Sequence, residues 1–148
     1  MLDANVLLLL IVGTASRSYI HVHKRLRAYS EQDYDLLLAF ISGATRIVVT
    51  PNTVTETSNL AGQIAEPARR FIFAALRLLL GSTDEIYIES KRASEQPAFL
   101  RLGITDSARL DVLSVDNVLL TSDLDLYLEA RRQGRAAENF IHRIEANR

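Results

Sequence analysis

A chain of 148 residues is the size of one ordinary domain, and a hydrophobic content of 48% is enough to build a real core. Charged residues at 24% exclude both a disordered polyelectrolyte and a membrane bundle. The net charge of −1 excludes a uniformly basic coat while leaving room for a basic rim beside an acidic pocket. The absence of cysteine removes disulfides, thiolate metal sites and cysteine nucleophiles, so any bound metal must use oxygen or imidazole ligands.

In chain order, Met1 to Asp3 reads as the end of a very short strand, and Asn5 to Val12 as a buried helix. The uncharged run from Ala4 to Ser16 is far short of the roughly 20 residues that a spanning helix needs. Gly13 to Ser16 resembles an export cleavage region. However, Asp3 stands where a signal peptide wants positive charge, so a cytoplasmic protein without membrane contact is expected. Ser18 to Ser30 is polar and basic and forms a helix or an ordered arm. Glu31 to Gly43 has helical spacing at Tyr34, Leu37, Leu38 and Ile41, ended by Gly43.

Arg46 to Thr50 is a β-branched run of strand character. Thr50-Pro51 then opens a helix, with threonine as cap and proline at the first helical position. Pro67 to Leu80 is a long amphipathic helix stopped by Gly81. Glu85 to Glu89 alternates like a half-exposed strand. A helix from about Ser94 to Leu102 ends at Gly103, and Thr105-Asp106 opens the next. Asn117 to Thr121 is a short buried strand. Ser122-Asp123 caps a helix running to Gly134, and Asn139 to Ile144 reads as a last edge strand. Strands alternating with helices imply one α/β domain over residues 1–148, with a mostly parallel sheet covered on both faces.

Such sheets bind ligands outside the carboxyl ends of their strands, and that rule decides which acids can meet. Asp3 follows the first strand, Asp123 lies two residues past another, Glu56 sits in the second turn after Arg46–Thr50, and Asp106 starts a helix. Taken singly, each has a bland reading. Asp106 and Asp123 could cap helices, Glu56 could complete a capping box with Thr53, and Asp3 could sit at a frayed terminus. Taken together, four acids with no obvious basic partner repel one another unless cations lie between them. Magnesium or manganese fits such an all-oxygen donor set.

The order Leu2-Asp3-Ala4-Asn5, Thr50-Pro51 with Thr55-Glu56, Gly103-Ile104-Thr105-Asp106-Ser107 and Leu120-Thr121-Ser122-Asp123-Leu124-Asp125 resembles the PIN-domain family of ribonucleases. Many of these are toxins of toxin–antitoxin pairs. The resemblance covers nearly the whole chain. It implies a three-layer α/β/α fold around a mostly parallel central sheet. It implies that Asp3, Glu56, Asp106 and Asp123 hold one or two Mg2+ or Mn2+ ions for hydrolysis of RNA. It also implies that Asn5 and Thr121 support the acids, that Asp125 is an accessory ligand or a first-turn helix acid, and that a homodimer and an antitoxin are the partners. The chain departs from the family pattern in having only Met1 and Leu2 before Asp3 and in the longer stretch from Ser16 to Ser30.

Arg17, Lys24, Arg25 and Arg27 are candidates for holding RNA phosphates, with Tyr19 and Tyr29 placed to stack on bases; a solvated helix face explains the same residues. His21, His23 and His142 read as ordinary histidines, the first two facing solvent. Two rival functions remain. A phosphatase-like or phosphotransfer module wants a second acid where Asp3-Ala4-Asn5 has none, or a lysine after the last strand where none follows. A PIN-like scaffold without catalysis, binding protein or RNA, is the other.

Overall fold

A computed structural model describes all residues, 1–148. The chain is mixed α/β and mostly helical, with short parallel strands in two small sheets. The elements are α1 (Ala4–Ala15), α2 (Ser18–Val22), α3 (Glu31–Ser42), β1 (Val48–Val49), α4 (Pro51–Ala61), α5 (Ala68–Leu80) and β2 (Asp84–Glu85). They continue with α6 (Ser90–Ala93), α7 (Phe99–Val112), β3 (Leu119–Thr121), α8 (Leu124–Arg132), β4 (Ala137–Asn139) and α9 (Phe140–Asn147). β1 pairs with β2 and β3 with β4, both in parallel, and Leu2 adds a parallel bridge to Leu120.

The strands are only two or three residues long, yet they partition the core. Successive strand residues point to opposite faces. Leu2, Val49 and Leu120 enter one hydrophobic cluster, whereas Met1, Val48 and Leu119 enter another. The first cluster is centred on α1, whose near-uniform apolar sequence is buried almost throughout, against α3, α4 and α5. The second lies under α7 and α8 through Leu110, Leu113 and Leu126. Gly13 is required by this packing, because a Cβ there would lie 2.4 Å from the Tyr34 ring. No helix is long and apolar enough to cross a membrane.

Local signals explain the well-read helices. Ser30 and Asp33 form a reciprocal capping box on α3, and Thr50 caps α4 with Pro51 at its first position. Four readings change. The strand expected over Glu85 to Glu89 pairs only at Asp84–Glu85. The helix expected from Ser94 to Leu102 is instead a run of turns over 94–98, following the short α6, and then the first turn of α7. At Gly103, φ is 83° and the helix axis breaks, a conformation that glycine adopts at little cost. Asn139 to Ile144 is not an edge strand. Ala137–Asn139 pairs with β3, then the Asn139 Oδ1 accepts the Ile141 and His142 amides and starts α9, which buries Phe140 and Ile144 one turn apart. His23 does not face solvent. It is fully buried, and burial lowers its pKa.

α7 and α8 are locked by Glu129. Its carboxylate is 3% exposed and accepts from Arg101 at 3.0 Å, Gln133 at 2.8 Å and Arg132 at 2.5 Å. Hydrogen bonds from Arg132 and Gln133 hold the Glu129 carboxyl down at about 2.

Candidate active site

Asp3 is 3% exposed and both of its oxygens are used. Oδ1 accepts the Val6 amide at 2.8 Å and so caps α1, while Oδ2 accepts the Ser122 amide at 2.8 Å and the Thr121 hydroxyl. The same Thr121 Oγ1 accepts the Asp123 amide at 3.0 Å. One buried hydroxyl therefore ties Asp3 to the residue that caps α8, where Asp123 Oδ1 accepts the Leu126 amide at 3.0 Å. Thr121 supports the acids as expected from the resemblance. Asn5 does not: it stands exposed in the first turn of α1, and its side chain bonds to no protein group. Asp125 is an exposed first-turn acid of α8.

The other two acids are held differently. Asp106 caps no helix; it stands in α7 just past the Gly103 break, with its side chain 17% exposed. Glu56, on α4, is 48% exposed. Between them lies the guanidinium of Arg109, only 4% exposed. It donates to Asp106 through Nη1, to Glu56 through Nη2 at 3.3 Å, and to the buried Thr53 hydroxyl through Nε at 2.9 Å. Burial pushes the Asp106 carboxyl above the usual carboxylate range. The charges of Asp123 and Glu56 push the same way, and Arg109 pulls it back.

Arg109 corrects the expectation that the four acids lack a basic partner. Nor do the acids converge directly: no three acidic or imidazole side chains come together as a ready metal-holding group. The acids instead form a line at the carboxyl ends of the strands, Asp3–Thr121–Asp123 on one side and Asp106–Arg109–Glu56 on the other. The two sides are coupled through the charge of Asp123 on Asp106. The donor set is all oxygen, which would suit a hard divalent cation, and the Arg109 guanidinium occupies the place between Glu56 and Asp106.

The basic arm is partly engaged elsewhere. Arg17 pairs with Asp35 at 2.5 Å and lies 5.1 Å over the Tyr34 ring, and Arg25 donates to Gln63 at 2.8 Å, just past the end of α4. Lys24 and Arg27 are exposed and make no ion pair. Tyr19 and Tyr29 are partly buried against the main core, where Tyr29 lies 6.1 Å from the Phe140 ring, and Tyr19 also lines a surface cavity beside Lys24. A cavity of about 570 Å³ opens at the amino ends of the strands between Met1–Leu2, Ile47–Val48 and Asn117–Val118, and none of the four acids lines it. A smaller cavity of about 400 Å³ adjoins Glu56.

No family model, curated protein or solved structure matches the chain.

Proposed function

We propose that this protein is a metal-dependent ribonuclease of PIN-like three-layer architecture, with the carboxylates at the strands' carboxyl ends as its site. The observation that carries the reading is a pair of hydrogen-bonded groups, Asp3–Thr121–Asp123 and Asp106–Arg109–Glu56, which hold four acids far apart in sequence after strand ends and on the helices that follow them. The opposed cores on either side of the short strands support the architecture.

In this reading Asp106, Asp123 and Glu56 hold a Mg2+ or Mn2+ ion, which supplies an activated water and neutralises charge on the phosphate. Asp3 touches no substrate. It fixes Thr121 and the Ser122 amide, and so sets where Asp123 stands. Arg109 offsets the repulsion between Glu56 and Asp106, keeping both in place when no ion is bound. Lys24 and Arg27 lie free to meet RNA phosphates.

Arg109 also favours a second reading. A guanidinium that already satisfies two of the acids suits a catalytically silent scaffold that binds protein or RNA. Incubating the protein with a mixed RNA pool and manganese separates the two. The ribonuclease reading expects cleavage that EDTA abolishes and that Asp123→Asn or Asp106→Asn reduces at least 100-fold, about 2.7 kcal/mol of transition-state stabilisation. Intact RNA under all conditions supports the scaffold, and cleavage surviving in EDTA contradicts the metal-dependent chemistry.

A further inference from the structure

A shallow, open depression lies next to Glu56. Its walls are Pro51, Asn52, Thr55, Glu56, Asn59 and Thr105, along the exposed side of α4 and up to the residue before Asp106. On the buried side of the same helix, Thr53 and Thr57 are both engaged: Thr53 Oγ1 accepts from Thr50 and Arg109, and Thr57 Oγ1 donates to the Thr53 carbonyl. By contrast, the side chains of Asn52, Thr55, Asn59 and Thr105 bond to no protein group. Four neutral groups, each able to donate and to accept, therefore face one hollow. It holds no lysine or arginine to suit a phosphate, and no large apolar side chain to suit a hydrophobic ligand.

We infer that this groove takes one nucleoside of single-stranded RNA beside the phosphate at the acids, with Asn52, Thr55 and Asn59 reading its ribose hydroxyl and base edge. The inference rests on the ribonuclease reading and adds to it the choice of sugar and sequence. Asparagine amides match the paired donor and acceptor of a base edge, and a 2′-hydroxyl is what distinguishes RNA from DNA at such a place. The Watson–Crick edge of a base is open to such a reading only on an unpaired strand. The groove also has the right neighbours. Glu56 belongs both to it and to the Arg109 pair. In the other direction α4 runs about 8 Å from Glu56 to its end, where Gln63 holds Arg25 beside the exposed Lys24. A strand leaving the acids along α4 meets neutral groups first and cations second.

The test compares the parent with Asn52→Ala/Thr55→Ala/Asn59→Ala. All three positions lie on the outer side of α4, so the thermal midpoint should hold within about 2 °C, and circular dichroism checks the fold. Binding of a single-stranded RNA and of its DNA counterpart is measured in EDTA by fluorescence anisotropy, and cleavage-site preference on a random RNA pool is measured with manganese. The parent should prefer RNA to DNA. The variant should lose that preference by about fivefold to tenfold, flatten the nucleotide bias beside the cut, and keep the salt slope of binding. A parent that cuts RNA, with a variant showing the same sugar and nucleotide preference, overturns the groove assignment and leaves the ribonuclease reading standing. A parent that binds RNA over DNA without cutting, with the preference erased in the variant, does the reverse. A parent that neither cuts nor binds single-stranded RNA overturns both.

Discussion

Asp3 and Asp123 are held by backbone amides and one threonine hydroxyl, whereas Asp106 and Glu56 are held by a single guanidinium. The first pair is built into the fold, since each acid caps a helix and together they fasten the end of β3 to the start of α1. The second pair depends on a buried positive charge carried by a side chain. A site made this way has one half whose position comes from folding and another whose position comes from charge balance. The first half should answer to the loss of a hydrogen-bond acceptor, and the second to the loss of its counter-charge.

The largest effect should come from breaking the built-in half. Asp3→Ala leaves the Val6 and Ser122 amides and the Thr121 hydroxyl without their acceptor in a buried place. Chemical denaturation should show a loss of about 3 kcal/mol. A loss below 1 kcal/mol would mean that Asp3 is not what fastens α1 to β3.

Glu129 anchors α8, and with it Asp123, so it sharpens the comparison through pH. Its folded-state carboxyl titrates at about 2 against an ordinary value of 4.5. A depressed acid contributes stability that is present above 4.5 and is lost as pH falls from there toward 2. With solvent screening at the exposed Arg101 and Arg132, the contribution is about 2 kcal/mol. Glu129→Gln should be less stable than the parent at pH 7, with the difference shrinking between pH 4.5 and 2. Parallel pH profiles would remove Glu129 from this role.

A somewhat smaller effect is expected at the charge-held half. Arg109→Met keeps most of the side-chain bulk but leaves Asp106 facing Glu56 and Asp123 without a counter-charge, costing about 1–2 kcal/mol in the metal-free protein. Manganese should recover more stability in this variant than in the parent, because an ion no longer competes with the guanidinium. Equal manganese responses would show that Arg109 and the ion do not share a place.

These two halves differ in how visible they are in the amino-acid order. Caps act within a few residues, so Thr50-Pro51 before α4, Ser30 with Asp33 on α3, and Asp123 before α8 are all legible. Asp3, Asp106 and Asp123 also announce themselves by following turns or strand ends. Arg109 does not. Its spacing of three from Asp106 is ordinary helix geometry, and its other partners, Thr53 and Glu56, lie 56 and 53 positions away on α4. Only folding brings them together. Asn139–Ile144 misled for the opposite reason: Phe140 and Ile144 are apolar at a spacing that suits a helix, but the preceding paired residues give the segment a strand-like start. His23 looks like its exposed neighbour His21, but its ring is buried against the backbone of Leu60 and Ala61 at the end of α4, far away in sequence.

We propose that the charge-held half is a cation site joined to Asp123, and manganese tests this without knowledge of the substrate. At neutral pH the Asp106 carboxyl, whose pKa is raised in the fold, adds no stability, because a raised acid stabilises below its ordinary value and loses that effect as pH rises through the folded one. Asp106→Asn should therefore be as stable as the parent without metal, and Asp123→Asn should stay within about 0.5 kcal/mol because asparagine caps a helix nearly as well. With manganese at about 100 times its dissociation constant, the parent should gain roughly 2.7 kcal/mol, read as a rise in thermal midpoint. Both asparagine variants should lose most of that gain. The same manganese response in the parent and in both variants would contradict the assignment.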